Sequence, residues 1–176
     1  MGGKVSMTQL EGKKALVTGA STGIGRAIAV AFAQEGAYVG IHYSSNINGA
    51  EETLRLVKKH GGDGKIFQKD LSKTDEIGKF VLQVIENLGR IDILVNKSGI
   101  GAARTADCVT KILQEDWEHV TAVNFTAPAM LAKHVIHDML PRNKGAIINI
   151  SSIRGLLGNP NLAAYSSTKG GLVILT

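Results

Sequence analysis

Tyr165 and Lys169 stand four residues apart in "AAYSSTKGG", with Ser151 and Ser152 just upstream in "INISSIRG". Four residues is about one helical turn, so on a helix the phenol and the ammonium share a face. A tyrosine hydroxyl ordinarily has a pKa of about 10 and is a poor base at neutral pH. A positive charge one turn away favours the phenolate. The pair can then give a proton to a carbonyl oxygen or take one from an alcohol. The same spacing also occurs on many ordinary surface helices, so the pair needs support from elsewhere in the chain.

A second chemical stretch is "TGASTGIG", residues 18–25. Glycines at 19, 23 and 25 let the backbone turn sharply and leave amides exposed at the start of a helix, a site for a phosphate anion. The spacing G-x-x-x-G-x-G is a variant of the dinucleotide fingerprint. The bland alternative is a tight turn without a ligand. "GIGAAR" at 99–104 fails the fingerprint at Arg104. The octet also contains G-x-S-x-G, Gly19 to Gly23, the nucleophile-elbow pattern of serine hydrolases with Ser21 as nucleophile. Position tells against that reading, because an elbow needs several strands before it and only one precedes Ser21.

These residues need a scaffold. "KKALVT" is a short apolar run ending at Gly19, and "GIGRAIAVAFAQEG" then has helical spacing. "AYVGIHY" reads as a second strand. "NGAEETLRLVKKHGG" reads as an amphipathic helix with Leu54 and Val57 on one face. "KIFQKD" is a third strand, followed by a helix over "KTDEIGKFVLQVIENLG" that groups Ile77, Val81, Val84 and Ile85. "IDILVN" and "GAIINIS" are strands four and five. A long helix is expected over 111–140, ended by Pro141, and another begins at 163. Continuously apolar strands alternating with helices predict an α/β doubly wound parallel sheet covered on both faces. Residues 1–12 are expected to be a flexible tail and 13–176 the domain. The longest irregular stretch, "KSGIGAARTADCVT", leaves the carboxyl end of the sheet, where ligands bind in such folds.

A chain of 176 residues fits one domain, with a hydrophobic content of 44% and a charged content of 20%. No apolar run is long enough to cross a membrane, and "MGGKVSMTQL" lacks the core of a signal peptide. The single Cys108 excludes an internal disulfide and fits a reducing compartment, so a cytoplasmic protein is expected. The net charge of +5 is spread along the chain rather than clustered on one element, which argues against a nucleic-acid partner. His134 and His137, with Asp138, lack a second ligand cluster, so no metal site is expected. Trp117 is expected in the core or at an interface.

"TGASTGIG" together with Ser152, Tyr165 and Lys169 resembles the short-chain dehydrogenase/reductase family, and the resemblance runs from about Lys13 to the last residue. T-G-x-x-x-G-x-G is met without departure, Tyr-x-x-x-Lys is met, and the family's active serine and asparagine fall on Ser152 and on Asn124 in "VNFTAP". The resemblance implies a Rossmann-like fold and hydride exchange between a nicotinamide cofactor and a ketone or secondary alcohol. Tyr165 would be the acid/base, aided by Lys169 and the cationic ring of the oxidised cofactor. Ser152 would hold the substrate oxygen. Asn124 would anchor a water that replenishes the proton through Lys169. For Ser151 the expectation is a neighbouring hydroxyl without a role.

The implied cofactor contacts are Gly19, Ser21, Thr22, Gly23, Ile24 and Gly25 in the loop, Tyr43, Ser44 and Ser45 after strand two, Asp70 and Leu71 after strand three, and Asn96 and Gly99 after strand four, with Tyr165 and Lys169. NAD-binding relatives carry an acid where Tyr43 stands. Its absence, with Ser44 and Ser45 beside it, favours NADP, although Thr22 replaces the basic loop residue of many NADP-preferring relatives. The family's Asn-Asn-Ala-Gly is here Asn96-Lys97-Ser98-Gly99. A buried unpaired ammonium is costly, so Lys97 either reaches a phosphate or solvent, or weakens the site.

The closest-looking subgroup is the 3-oxoacyl-acyl-carrier-protein reductases of fatty acid biosynthesis, with glucose-type sugar dehydrogenases as the alternative. Arg142 and Lys144 either meet an acidic carrier protein or are solvated loop charges. Residues 114–140 resemble the helix through which relatives form homodimers and homotetramers. The resemblance also implies further strands and a lid beyond Thr176. The 176 residues are therefore expected to hold all four active residues but only part of a substrate pocket. A nucleotide-binding fragment without turnover is the remaining alternative, and apolar sheet surface is expected to be exposed.

Overall fold

Strands apolar at consecutive positions must be covered on both sides, and β1 (Lys14–Val17) shows how. In the computed structural model, which describes residues 8–101 and 109–176, Leu16 faces one apolar cluster while Ala15 and Val17 face the other. The parallel sheet has the order β3-β2-β1-β4-β5, with β2 at Tyr38–Tyr43, β3 at Asp63–Gln68, β4 at Ile93–Asn96 and β5 at Ala146–Asn149. Helices α1 (Gly23–Gln34) and α2 (Ile47–Lys59) cover one face through Ala29, Ala33, Ala50 and Val57. The other face carries α3 (Ile77–Leu88) and the later helix at 127–139, through Val81, Val84, Leu131 and Val135. This is the doubly wound, Rossmann-like arrangement expected from the sequence. Its strand order reverses between β1 and β4, the place where an open α/β sheet leaves a crevice at its carboxyl edge.

Several boundaries differ from the sequence expectations. Strand three starts two residues earlier, at Asp63, and ends at Gln68. The third helix opens with a 3₁₀ turn over Thr74–Glu76. The helix expected over 111–140 is in three parts: α4 (Gln114–Thr121), a π-helical turn over Ala122–Thr126, and α5 (Ala127–Met139), with Pro141 in a 3₁₀ turn beyond it. Pro128 has no N–H to give the carbonyl of Asn124 four residues back, and its ring crowds that carbonyl, so the helix widens there. The last helix, α6 (Ala163–Leu175), carries Tyr165 and Lys169. Residues 1–7 of the expected tail lie outside the described residues. Within 8–12, the Leu10 amide donates to the Glu35 carbonyl at 2.9 Å and the Gln9 amide to the Glu35 carboxylate at 3.0 Å. Arg104 and Cys108 also lie outside the described residues. Ile148 on edge strand β5 and Ile174 near the end of α6 are solvent-exposed apolar residues.

A polar knot fixes the amino ends of the strands. Asp92, 8% exposed, accepts the Lys14 amide at 2.9 Å, Arg90 Nε at 2.9 Å and Arg142 Nη1 at 2.7 Å. Arg142 also donates to the Asp138 carboxylate and to the Ile91 carbonyl, both at 2.8 Å. Its guanidinium is therefore a structural cross-link between β4 and α5. That corrects the alternative expectation that Arg142 is a solvated loop charge. Burial alone would raise the Asp92 pKa, but the Lys14 amide and the two guanidiniums outweigh it and hold the carboxyl below its usual range. Such a depressed carboxylate contributes stability above the unfolded pKa and loses it as pH falls through the folded value. Asp92→Asn leaves two guanidiniums without their shared charge, and urea unfolding at pH 7 is expected to report a loss of about 2 kcal/mol.

Candidate functional site

The turn from β1 into α1 is built by residues from three other strands. Gly19 has φ of +63°, which favours glycine, and its amide donates to Nδ1 of His42 at 3.1 Å. The other nitrogen of His42 lies 2.9 Å from the Lys69 carbonyl, so the ring is a neutral Nε2–H tautomer bridging the glycine loop to the end of β3. Burial pushes its pKa down to about 4 against the opposing pull of that carbonyl. The Thr18 hydroxyl accepts the amides of Lys97 at 2.9 Å and Ser98 at 3.0 Å. From α1, Arg26 donates to the Ser21 carbonyl at 2.6 Å and reaches Thr53 Oγ1 on α2 at 3.0 Å. Thr53 in turn donates to the Ala20 carbonyl at 2.8 Å.

This frame leaves the start of α1 open. Thr22, the residue before its first turn, makes no side-chain cap, so the leading amides of the helix remain available to an anion. A β-carbon at Gly25 would lie 2.2 Å from the Gly19 carbonyl oxygen, which holds that position to glycine. In front of the turn is a cavity of about 260 Å³ lined by Gly19, Ser21, Thr22, Ser44, Ser45 and Asp70, among others. Asp70 accepts the Ser72 hydroxyl at 2.7 Å and its amide at 2.9 Å. Those bonds, with Lys73 and His119 nearby, hold its carboxyl below the usual range despite some burial. It is an ionised acceptor, suited to a ribose hydroxyl or an adenine amine. Open helix amides for phosphate and a fixed acceptor beyond them form a donor and acceptor set that fits a nicotinamide dinucleotide.

A second cavity, of about 400 Å³, holds Ile24, Ser151, Tyr165 and Lys169. Lys169 is 4% exposed, donates from Nζ to the Ile150 carbonyl at 2.9 Å, and lies 5.9 Å from the Tyr165 ring centroid. Burial lowers its pKa, and the charge of Lys97 lowers it further. Asn124 is fully buried in the π-helical turn. Its Nδ2 donates to the Ile100 carbonyl and its Oδ1 accepts the Ile100 amide, both at 2.9 Å. The β-carbon that Gly99 lacks would sit 3.4 Å from both Asn124 Oδ1 and Lys169 Nζ, which shows how closely the two groups meet.

The expected residues are thus mostly gathered in two adjoining cavities. Leu71 and Gly99 also line the first, and Gly99 the second as well. The remaining ones sit differently. Tyr43 packs partly buried against the α1–α2 core cluster. Asn96 spans from β4 to β5, donating to Asn149 Oδ1 at 2.9 Å. Gly23, with φ of +55°, shapes the loop. Ser152 accepts the Arg154 amide at 3.2 Å, whereas Ser151 is on the cavity wall and donates to the Lys169 carbonyl at 2.7 Å. Trp117 is 41% exposed, so it is not a core residue. His42, Arg26 and Thr53 were not singled out from the sequence. The signal for His42 was a polar residue set inside an otherwise apolar strand.

Unfolded histidine has a pKa of about 6.5. The unfolded chain therefore binds the His42 proton first as the solution is acidified, and the native state loses stability from about pH 6.5 down toward 4. For this one group the loss is about 2 kcal/mol between pH 7 and pH 4.5. His42→Phe is expected to be less stable at pH 7, and the gap from wild type should narrow at pH 4.5 in urea midpoints. A gap that stays constant with pH would refute a neutral, buried His42.

Comparison with known proteins places this geometry. The family model described as short chain dehydrogenase matches residues 13–176. Glucose 1-dehydrogenase 2 of Bacillus subtilis is 37% identical over 168 residues, covering 95% of this chain and 64% of that protein. The 3-oxoacyl-acyl-carrier-protein reductase FabG of Staphylococcus epidermidis is 37% identical over 165 residues, covering 93% and 66%. The chain therefore spans about two thirds of the length of these relatives. A metagenomic short-chain oxidoreductase solved in complex with NADP superposes with a TM-score of 0.88 at 35% identity, covering 94% of this chain and 74% of that one.

Proposed function

The chain belongs to the short-chain dehydrogenase family, and from that premise we propose that it is the cofactor-holding and proton-transferring part of an NADP-dependent reductase of a ketone. The observation that carries this reading is the meeting of Tyr165 and Lys169 at a cavity adjoining the one in front of the glycine loop, with buried Asn124 next to Lys169 across Gly99. The nicotinamide ring, when bound, supplies the hydride. The protein's part is proton chemistry. Tyr165 gives its proton to the carbonyl oxygen in reduction and takes it back in oxidation. Lys169, held by the Ile150 carbonyl, sets a positive charge near the ring of Tyr165 and favours the phenolate. Asn124 anchors the Ile100 segment beside Lys169, where a water can feed the proton relay. Ser152, as the family pattern has it, holds the substrate oxygen, with Ser151 on the adjacent wall.

Two features support NADP. Tyr43 stands where an acid would hold the ribose of NAD, and Ser44 and Ser45 line the cavity and can donate to a 2′-phosphate. For the substrate, the relative named 3-oxoacyl-acyl-carrier-protein reductase supports a 3-oxoacyl thioester. The equally similar glucose 1-dehydrogenase supports a sugar as the second reading. Exposed Leu113, Trp117, Ile136 and Leu140 along α4, α5 and the turn after them fit a homodimer or homotetramer interface. No helix among the described residues is long and apolar enough to cross a membrane; the single Cys108 supports a cytoplasmic location.

The test is NADPH oxidation by the 176-residue chain with a short 3-oxoacyl thioester, run beside glucose oxidation. Tyr165→Phe is expected to lower turnover by at least about a hundredfold while NADPH binding persists. Turnover unaffected by that change would refute the assigned acid. NADPH binding without turnover in the wild type would leave a nucleotide-holding fragment. Affinity for NADH equal to that for NADPH would remove the NADP preference.

A further inference from the structure

Resting on the dinucleotide reading above, we propose that Lys97 is a cofactor-contacting residue whose ammonium binds the diphosphate bridge of the dinucleotide where the two cavities meet. Among the described residues, Lys97 and Gly99 are the residues that line both cavities. Gly99 has no side chain, so among the described residues Lys97 is the one side-chain-bearing residue common to both. A ligand with its adenosine beside Asp70 and its reactive ring beside Tyr165 must pass this point with its linker. The linker of a nicotinamide dinucleotide carries two negative charges.

The backbone holds Lys97 in place. Its amide donates to the Thr18 hydroxyl at 2.9 Å, and the following Ser98 amide to the same oxygen at 3.0 Å. The β-carbon that Gly19 lacks would lie 3.0 Å from the Ser98 Cα, so the glycine loop rests directly on this segment. The open amides of α1 therefore approach the linker from one side, and Lys97 from the end of β4. An ammonium acts on phosphate as a point charge with freely rotating donors and needs no fixed fork geometry.

The charge balance gives the position its meaning. Lys97 is half-buried, and none of the five described ion pairs supplies it with a carboxylate. Asp70, on the first cavity, is engaged by Ser72 and influenced by Lys73 and His119. The charged neighbour that Lys97 does perturb is another cation, Lys169. Two cations at one junction repel until an anion arrives between them. The diphosphate is common to NADPH and NADH, so Lys97 strengthens both and leaves discrimination to Ser44 and Ser45.

The experiment is isothermal titration of the 176-residue chain with NADPH, NADH and AMP at low and moderate salt, for wild type, Lys97→Arg, Lys97→Asn and Lys97→Met. Losing one charge-assisted hydrogen bond corresponds to about a tenfold weaker dissociation constant. That loss is expected for both dinucleotides in the Asn and Met variants, with a shallower salt dependence, while AMP binding is unchanged. Lys97→Arg should stay within about threefold of wild type, because it keeps the charge. The ligand-free Asn and Met variants should melt at or above the wild-type temperature, because a repulsion is gone. Dinucleotide affinities unchanged in both neutral variants would overturn the role of Lys97, as would a loss confined to NADPH. Wild-type protein that binds neither dinucleotide would overturn the proposed function itself and this inference with it.

Discussion

A single buried hydroxyl joins the two halves of the site. Thr18 Oγ1 donates to the Val95 carbonyl at 3.2 Å and accepts two amides, from Lys97 and Ser98, so its one proton and two lone pairs are all used. The residue is 1% exposed, and an unmet partner there would cost its full desolvation. Its effect is geometric. β1 and β4 are neighbours across the point where the strand order reverses, and their two carboxyl-end loops would otherwise diverge in opposite senses. The hydroxyl keeps the start of the 97–101 segment against the glycine loop, and every distance between the two cavities follows from that seam.

Three other buried side chains at this edge are likewise tied to backbone groups. His42 spends both ring nitrogens on backbone groups from two different segments. Asn124 spends its amide on both backbone groups of Ile100, which copies a strand pairing with one side chain. Lys169 gives its ammonium to the Ile150 carbonyl, and Ser151 reaches the Lys169 carbonyl in return. Such groups are expensive to bury and therefore tolerate few arrangements. The loops at the carboxyl edge are held by polar contacts that specify one conformation, while the apolar clusters beneath supply most of the burial.

The alternation of strand and helix was legible in the sequence because fully covered strands are apolar at consecutive positions, and Val17, Ile41 and Val95 bear this out. The gathering of Tyr165 with Lys169 followed from helical spacing. Other features have no periodic signature. Helical spacing continues through Val123 and Ala127, so the π-helical turn is invisible to it; Pro128, four residues after Asn124, was the readable sign. Arg142 looked like a free loop charge because its partners Asp92 and Asp138 are 50 and 4 residues away in sequence, and only the fold brings both to it. Adjacent serines such as Ser151 and Ser152 point to opposite sides of an extended backbone, and which one faces the cavity depends on the strand's exact exit. Lys97 showed only that a charge had to be accommodated, since its surroundings come from three elements distant in sequence.

The knot around Asp92 lies at the amino ends of β1 and β4, and the cavities lie at their carboxyl ends. Strands of four residues put roughly 13 Å between the two. At that separation, changes at one end add to changes at the other with little coupling. The molecule thus has a foundation and a workbench that can be altered independently. A lineage built on this plan can exchange the residues that greet a ligand while drawing on a reserve of folding energy kept at the far side of the sheet.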